Sequence, residues 1–139
     1  EVDLVAGPTT GGILLAFEIA RQLGLPAAYA ERASEGSSER AFKRGTVIEP
    51  GTRVLVVDDI LTTGGSVRAT LDALAAVGAD VVAVAVLVDR SGGKVDFGCP
   101  LVPLARLEID TWEADEIPDW LAEIPVTKPG TTATPAAAS

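Results

Sequence analysis

The sequence predicts an α/β fold with a parallel β-sheet and helices on both of its faces. Strand-like apolar runs alternate with helical patterns along the chain, as expected for parallel strands joined by crossover helices. The apolar content is 47% and comes from Val, Ala and Leu rather than from aromatic residues, which favours close packing of helices on a sheet. The 139 residues are enough for one domain with a substantial core.

The first predicted unit is a short strand, a glycine-rich turn and a helix. Residues 4–6 form the strand and residues 7–12 form the turn. Gly24 is expected to end the helix, and residues 27–30 are typical of a second strand. At helical spacing, one face of this helix carries Ile13, Phe17, Ala20 and Leu23.

The central predicted unit is a longer strand, a loop of small residues and a second helix. After its first residue, Arg53, the segment 53–57 is apolar and mostly β-branched, which suits a strand buried on both faces of a parallel sheet. Ser66 is predicted to cap the helix, and Gly78 is predicted to end it. The apolar face of this helix carries Val67, Leu71, Leu74 and Ala75.

The remaining segments are a loop, two more strands and a tail. Residues 31–46 carry Gly, Ser and charge with no apolar period, and we predict a mobile loop. Residues 80–88 form another buried strand, and residues 101–104 form a weaker one that its proline places at a sheet edge. The predicted domain therefore covers residues 1–126, followed by a flexible tail at 127–139.

Composition narrows the possible classes of function. The net charge is −9, and residues 107–125 hold seven acidic residues and no basic one, which argues against a basic face for nucleic acid or anionic membrane. Cys99 is the single cysteine and histidine is absent, which excludes an intrachain disulfide, a zinc site and a histidine base. No apolar run reaches membrane-spanning length. We predict a cytoplasmic protein that binds neither nucleic acid nor membrane.

Residues 56–66 are the most informative segment, because an apolar run ends there in two carboxylates and a loop of small residues. Glycines let the backbone approach a phosphate, hydroxyls donate to it, and the helix N-terminus attracts it. Asp58 and Asp59 are costly to ionise together unless a ribose diol or a hydrated Mg²⁺ carried by a polyphosphate meets them. The turn at 7–12 opens a helix in the same way. The alternative is that both are ordinary strand-to-helix turns.

These residues resemble the type I phosphoribosyltransferases, whose signature is two acidic residues followed by a T-x-G-[GTS] loop that binds 5-phosphoribosyl 1-pyrophosphate (PRPP). The orotate phosphoribosyltransferases are the most similar members, through further segments at residues 7–12, 87–90 and 124–130. The resemblance covers most of residues 3–130 and implies a Rossmann-like core. It also implies an N-terminal hood over the base, which no segment of this chain matches.

The resemblance implies a role for each candidate residue. Asp58 and Asp59 would hold the ribose hydroxyls, and Arg90 with Thr62 would bind orotate. Basic residues of the loop would close over the pyrophosphate during catalysis, although the family's R-K-x-x-K-x-H-G run is not matched here. The ribose and 5-phosphate site would comprise Asp58, Asp59, Ile60, Leu61, Thr62, Thr63, Gly64, Gly65 and Ser66. The pyrophosphate loop would comprise Pro8, Thr9, Thr10, Gly11 and Gly12. The catalytic loop cations would be Arg32, Arg40, Lys43 and Arg44.

The implied activity is that of a glycosyltransferase, specifically a pentosyltransferase. It would transfer the 5-phosphoribosyl group of PRPP to orotate, giving orotidine 5-phosphate and pyrophosphate in pyrimidine (UMP) biosynthesis. The resemblance further implies Mg²⁺ carried by the substrate rather than by the protein, and a homodimer. Two alternatives stay open: a purine-salvage phosphoribosyltransferase, and a non-catalytic regulator that senses PRPP. An acidic Asp89 beside Arg90 leaves a simple surface ion pair as the alternative for that arginine.

Overall fold

The computed structural model describes residues 1–109, 112 and 116–125. Residues Glu1–Ile109 form one compact unit. Its strands are β1 (Leu4–Pro8), β2 (Ala27–Arg32), β3 (Arg40–Phe42), β4 (Arg53–Leu61), β5 (Asp80–Asp89) and β6 (Leu101–Arg106), and its helices are α1 (Gly11–Leu23) and α2 (Gly65–Ala76).

One six-stranded sheet organises this unit, in the order β3-β2-β1-β4-β5-β6. β1, β2, β4, β5 and β6 run parallel to one another, and β3 runs antiparallel to β2 at one edge. The α/β prediction is confirmed, and β6 lies at the predicted edge. The loop prediction for residues 31–46 was wrong in part, because β2 extends to Arg32 and Arg40–Phe42 is a strand. A short, half-exposed edge strand has no alternating apolar pattern by which to recognise it.

Two apolar clusters lie on opposite faces of the sheet because successive strand residues point to opposite sides. On one face, Ala6 and Val56 pack with Val67 and Leu74 of α2. On the other face, Val5 and Val57 pack with α1, whose buried side chains are small. Helices therefore cover both faces of the sheet, as predicted.

The apolar face predicted for α1 was partly wrong. Phe17 and Leu23 are 61% and 56% exposed, whereas Gly12, Ala16 and Ala20 are the buried residues of this helix. A stripe of small residues lets the helix axis approach the sheet closely, and larger side chains are then left at its flanks. Gly24 ends the helix in a left-handed conformation, as predicted (φ 68°).

The start of α2 also differs from the prediction. Gly64, with φ 79°, precedes the first helical residue, and Ser66 lies within the first turn rather than capping it. A positive φ at the cap favours glycine, which sequence reasoning had assigned only to the loop. At the other end, the Gly78 amide donates to the Ala75 carbonyl at 3.0 Å, close to the predicted stop.

The segment after Ile109 belongs to a second unit. It contains a four-residue helix, α3 (Asp119–Ala122), and an edge-to-face pair of Trp112 and Trp120 with ring centroids 6.1 Å apart. The predicted tail at 127–139 and most of the segment 124–130 lie outside the described residues, and the domain boundary at 126 stays a prediction. No helix in the described part of the chain is both long and apolar enough to cross a membrane.

Candidate active site

The candidate site lies between β1 and β4, where the order of the strands in the sheet reverses. From β1 the chain crosses through α1 to β2 on one side, and from β4 it crosses through α2 to β5 on the other. The crevice beyond the carboxyl ends of β1 and β4 is therefore a topological switch point, the usual ligand position in open α/β sheets. The sequence places its two glycine-rich turns and both aspartates at these strand ends.

Close backbone packing explains the glycines of the first turn. A Cβ atom on Gly7 would lie 2.8 Å from the Val57 carbonyl oxygen, and one on Gly12 would lie 2.9 Å from the same oxygen. Both positions therefore need glycine, because the start of α1 packs directly on the backbone of β4. Thr10 precedes the helix without a side-chain cap, and the first turn holds no acidic residue. The amides of this first turn therefore have no side-chain acceptor, an arrangement that attracts anions.

The second turn repeats this arrangement at α2. Gly64 precedes the helix without a side-chain cap, the first turn has no acidic residue, and the first intrahelical bond runs from the Arg68 amide to the Gly64 carbonyl at 2.8 Å. The preceding amides of the turn therefore have no intrahelical acceptor. They border a cavity of about 60 Å³ lined by Asp58, Ile60, Leu61, Thr62, Thr63, Gly64, Gly65, Ser66 and Val67.

A loop that sequence reasoning missed supports this turn from behind. A Cβ on Gly64 would lie 3.0 Å from Val95 and 3.1 Å from the Phe97 ring, so glycine is needed there for space as well as for φ. Arg68 lies over Phe97 at 5.4 Å and donates to the Asp96 carbonyl at 3.0 Å. The only signal in the sequence is a pair of apolar residues within a glycine-rich, charged connection.

The two aspartates occupy different environments. Asp58 is only 7% exposed, and its Oδ1 accepts a hydrogen bond from the Asp59 amide at 2.9 Å. The pKa of Asp58 is raised to about 6, chiefly by burial and in smaller part by the neighbouring Asp59 carboxylate, while the hydrogen bond from the Asp59 amide and the charge of Arg40 oppose the rise. Asp59 is exposed, and its Oδ1 accepts from the Ile60 amide at 2.7 Å. A hydroxyl donor would favour the ionised form of Asp58.

Asp59 also touches the first turn. The space that a Cβ on Gly11 would occupy overlaps the Asp59 carboxylate. The carboxylate pair of β4 therefore lies directly between the N-termini of α1 and α2. This contact brings together the two loops and the two aspartates that the sequence had predicted separately.

Only one of the four predicted loop cations reaches these turns. Arg40 donates to Thr9 at the end of the first turn and to Ser66 in the second. The other three bond to their own segment and its neighbours. Arg32 donates to the Ser37 carbonyl, Lys43 to the Arg32 and Ala33 carbonyls, and Arg44 to the Glu31 carboxylate.

Arg90 begins the segment after β5, beside the end of β4. Its amide donates to the Leu61 carbonyl at 2.8 Å. Its Nε is buried and has no hydrogen-bond partner in the described part of the chain. The alternative of a simple ion pair with Asp89 is not what the structure contains, because Asp89 accepts from the Ser91 amide and hydroxyl at 2.8 and 2.6 Å. Arg106 is the charged neighbour of Asp89, at 3.7 Å.

Comparison with known proteins identifies relatives of this arrangement. A family model described as "Phosphoribosyl transferase domain" matches residues 1–97. Orotate phosphoribosyltransferase of Carboxydothermus hydrogenoformans is 48% identical over 130 residues, which cover 94% of this chain and 66% of that protein. The same enzyme of Caulobacter vibrioides is 47% identical, with the same coverage. The chain thus spans slightly less than two thirds of these relatives.

Solved structures give the same result for the fold. Orotate phosphoribosyltransferase from Aeropyrum pernix matches with a TM-score of 0.63 at 33% identity, over 77% of this chain and 62% of that one. Adenine phosphoribosyltransferase from Thermoanaerobacter pseudethanolicus matches with a TM-score of 0.65 at 22% identity, over 77% of this chain and 72% of that one. The second likeness bears on the fold alone.

Proposed function

Because the chain belongs to the phosphoribosyltransferase family, we propose that it transfers the 5-phosphoribosyl group of PRPP to orotate, forming orotidine 5-phosphate and pyrophosphate. The observation that carries the proposal is the pair of uncapped helix N-termini on either side of the Asp58–Asp59 carboxylates. PRPP has an anionic group at each end and a diol between them. The choice of orotate as the base is supported by the sequence identity of 48% and 47% between this chain and two orotate phosphoribosyltransferases.

In this proposal, each end of PRPP meets one turn. The 5-phosphate binds in the cavity at residues 62–66, where orphan amides and hydroxyls converge. The pyrophosphate binds at residues 8–12, against the N-terminus of α1. Asp58 and Asp59 accept hydrogen bonds from the ribose 2- and 3-hydroxyls, which lie between the two anionic ends.

The reaction forms one bond and breaks another at ribose carbon 1. A ring nitrogen of orotate loses its proton to solvent and bonds to this carbon, and the bond from the carbon to pyrophosphate oxygen breaks with its electron pair leaving on pyrophosphate. Positive charge develops on the sugar, where the two carboxylates lie, and negative charge develops at the amides of α1. Catalysis in such a site comes from positioning and from electrostatic stabilisation of these charges.

Magnesium fits the site as a companion of the substrate. Among the described residues there is no group of three or more carboxylate, histidine or cysteine side chains that could hold a metal. Two adjacent carboxylates suit Mg²⁺, which keeps several waters and binds through few protein oxygens plus substrate phosphates. When bound, Mg²⁺ would neutralise part of the pyrophosphate charge.

Arg90 is the residue that would select orotate. A guanidinium binds a carboxylate through two parallel hydrogen bonds, and orotate carries a carboxylate where neutral purines carry none. The unpartnered, buried Nε supports a ligand-binding role, since buried polar groups normally have partners. Thr62 lines the neighbouring cavity and would make a second contact to the pyrimidine.

The proposed assembly is a homodimer in the cytoplasm. Large apolar side chains on α1 and β6 support the dimer, because Leu14, Phe17 and Leu104 are 76%, 61% and 82% exposed. The single cysteine supports a reducing compartment, since this chain needs no internal disulfide. Sedimentation at micromolar concentration tests the dimer, and a pure monomer would contradict it.

The test of the proposed function is a panel of acceptors. The protein, including whatever sequence flanks residues 1–139 in its gene, is given Mg²⁺ and PRPP with orotate, uracil, adenine, hypoxanthine or guanine. We expect pyrophosphate release when orotate is the acceptor and none with the other four bases. Release with a purine and not with orotate would replace the base assignment by purine salvage. PRPP binding with no release from any base would favour the non-catalytic sensor.

A further inference from the structure

We propose that Arg40 is a positioning residue that holds the two anion-binding turns at the spacing PRPP requires, and that it does not itself bind pyrophosphate. The inference rests on the proposed function, because it assigns one PRPP end to each turn. It replaces the role that the sequence predicted for Arg40, which was to close over the pyrophosphate from a mobile loop.

The guanidinium of Arg40 joins three parts of the site. Its Nη1 donates to the Thr9 hydroxyl at 2.9 Å and to the Ala30 carbonyl at 2.9 Å. Its Nη2 donates to the Thr9 carbonyl at 3.1 Å and to the Ser66 hydroxyl at 3.3 Å. Thr9 belongs to the turn before α1, Ser66 belongs to the first turn of α2, and Ala30 lies near the end of β2.

These four bonds use all the hydrogens of the two Nη groups of Arg40. Each Nη group of a guanidinium carries two hydrogens, and each of the four hydrogens has a protein acceptor here. A phosphate oxygen could be bound by Nη only if one of these bonds were broken. The side chain is also half-buried, which adds a desolvation cost to its charge but keeps it in contact with the turns.

The backbone of Arg40 is fixed as well. Arg40 lies opposite Arg32 in the antiparallel pairing of β3 with β2, and the Ala33 amide donates to the Glu39 carbonyl at 2.9 Å. The side chain therefore extends from an ordered strand of the sheet rather than from an unstructured loop. The neighbouring Lys43 and Arg44 are bonded instead to Arg32, Ala33 and Glu31.

The consequence concerns ligands that span both turns. A ligand that uses one turn needs only the amides of that turn, whereas PRPP needs both turns at a fixed separation. If the two turns are already held at this separation, less entropy is lost on ordering them when a ligand binds. Only a ligand that contacts both turns, such as PRPP, gains affinity from this. Lysine cannot replace Arg40 in this role, because a single ammonium group cannot span acceptors that a planar fork reaches on two sides.

The test compares ligands that bridge the turns with ligands that do not. Titration calorimetry measures the dissociation constants of Mg²⁺·PRPP, pyrophosphate and ribose 5-phosphate for the wild type and for Arg40→Lys and Arg40→Gln. Arg21→Gln is the matched control, since Arg21 is an exposed arginine on α1 whose guanidinium bonds to the Glu18 carboxylate. Thermal unfolding checks that every variant is folded.

We expect both Arg40 variants to bind PRPP about 10- to 100-fold more weakly, the size of effect that misplacement by about 1 Å produces. Pyrophosphate and ribose 5-phosphate should bind within about twofold of the wild type, and Arg21→Gln should match the wild type throughout. A drop in pyrophosphate affinity equal to the drop for PRPP would overturn the inference in favour of direct contact. Unchanged PRPP affinity in folded variants would overturn it too. A folded wild type that binds no PRPP would instead refute the proposed function on which the inference rests.

Discussion

The carboxylate of Asp59 lies against the α-carbon of Gly11, so β4 and the start of α1 are in contact at the point where the two anion-binding turns meet. This contact cannot be predicted from the local sequence around either residue. Gly11 is 48 positions away from Asp59 in the chain, and the contact exists because β1 and β4 are parallel neighbours. The side chain that would bind ribose thus lies directly beside the loop that would bind pyrophosphate.

Gly11→Ala should damage ligand binding more than folding. The added methyl group overlaps the Asp59 carboxylate, which is the end of an exposed side chain and can rotate away. We expect the dissociation constant for Mg²⁺·PRPP to rise by about 10-fold or more. The free energy of unfolding should fall by no more than the ~1–3 kcal/mol typical of a small overpacking change. Calorimetric titration and thermal unfolding check the two parts. Wild-type PRPP affinity in the alanine variant would show that the contact has no role in binding.

Asp58→Asn should change how stability depends on pH. Burial raises the pKa of Asp58 from its ordinary value of 3.8 to about 6. The folded state therefore holds this proton more tightly than the unfolded state, and the wild type loses stability relative to the variant as pH rises from about 4 to about 6. We expect the unfolding free energies to agree below pH 4 and the variant to gain on the order of 3 kcal/mol above pH 6, since each pKa unit corresponds to about 1.4 kcal/mol. Urea titrations across this range measure it, with Asp72→Asn on the exposed face of α2 as control. Parallel pH curves for the wild type and Asp58→Asn would contradict the assignment.

Arg90→Ala should impair the use of orotate and spare PRPP. Loss of a two-point, charge-assisted contact costs on the order of 2–4 kcal/mol. We expect a fall of that size in kcat/KM for orotate, with the KM for PRPP within about twofold of the wild type. Arg106→Ala, at the end of the neighbouring strand, is the matched control, since that arginine is exposed and lies 3.7 Å from Asp89. An equal loss in both variants would indicate a general effect of charge at this edge of the sheet.

Phe97→Ala should loosen one turn and leave the other alone. Phe97 packs against Gly64 and under Arg68, behind the cavity proposed for the 5-phosphate. We expect weaker binding of ribose 5-phosphate, by about 3- to 10-fold, because an unsupported turn must be ordered when it binds. Pyrophosphate should bind as it does to the wild type. Titration with both ligands separates the two turns, and equal losses for both would contradict this local role.

The sequence predicted the parts of this protein that are local. The alternation of strand and helix, the edge position of residues 101–104 and the glycine stop after Leu23 are each encoded by neighbouring residues, and the structure agrees with them. The resemblance to phosphoribosyltransferases was carried by a continuous motif and is confirmed by the family match.

The parts that were missed depend on residues far apart in the chain. Strand β3 is held by its pairing with β2 and by the bonds of Arg40, and its three residues carry no period of their own. The buried stripe of α1 follows from the closeness of the helix to β4, which favours Gly12 and Ala16 over the larger Phe17. The support of Gly64 by Phe97 joins two loops that the sequence separates by a helix and a strand.

The most direct test of the central claim is a calorimetric titration of this chain with Mg²⁺·PRPP, repeated with Asp58→Asn and Asp59→Asn. We predict one PRPP bound per chain, and a dissociation constant at least about 10-fold higher in each variant, since each loses a charged acceptor for a ribose hydroxyl. Both variants should remain folded, because each carboxylate accepts a hydrogen bond from the amide of the residue that follows it, which an asparagine oxygen can also accept. The same PRPP affinity in both variants as in the wild type would contradict the site.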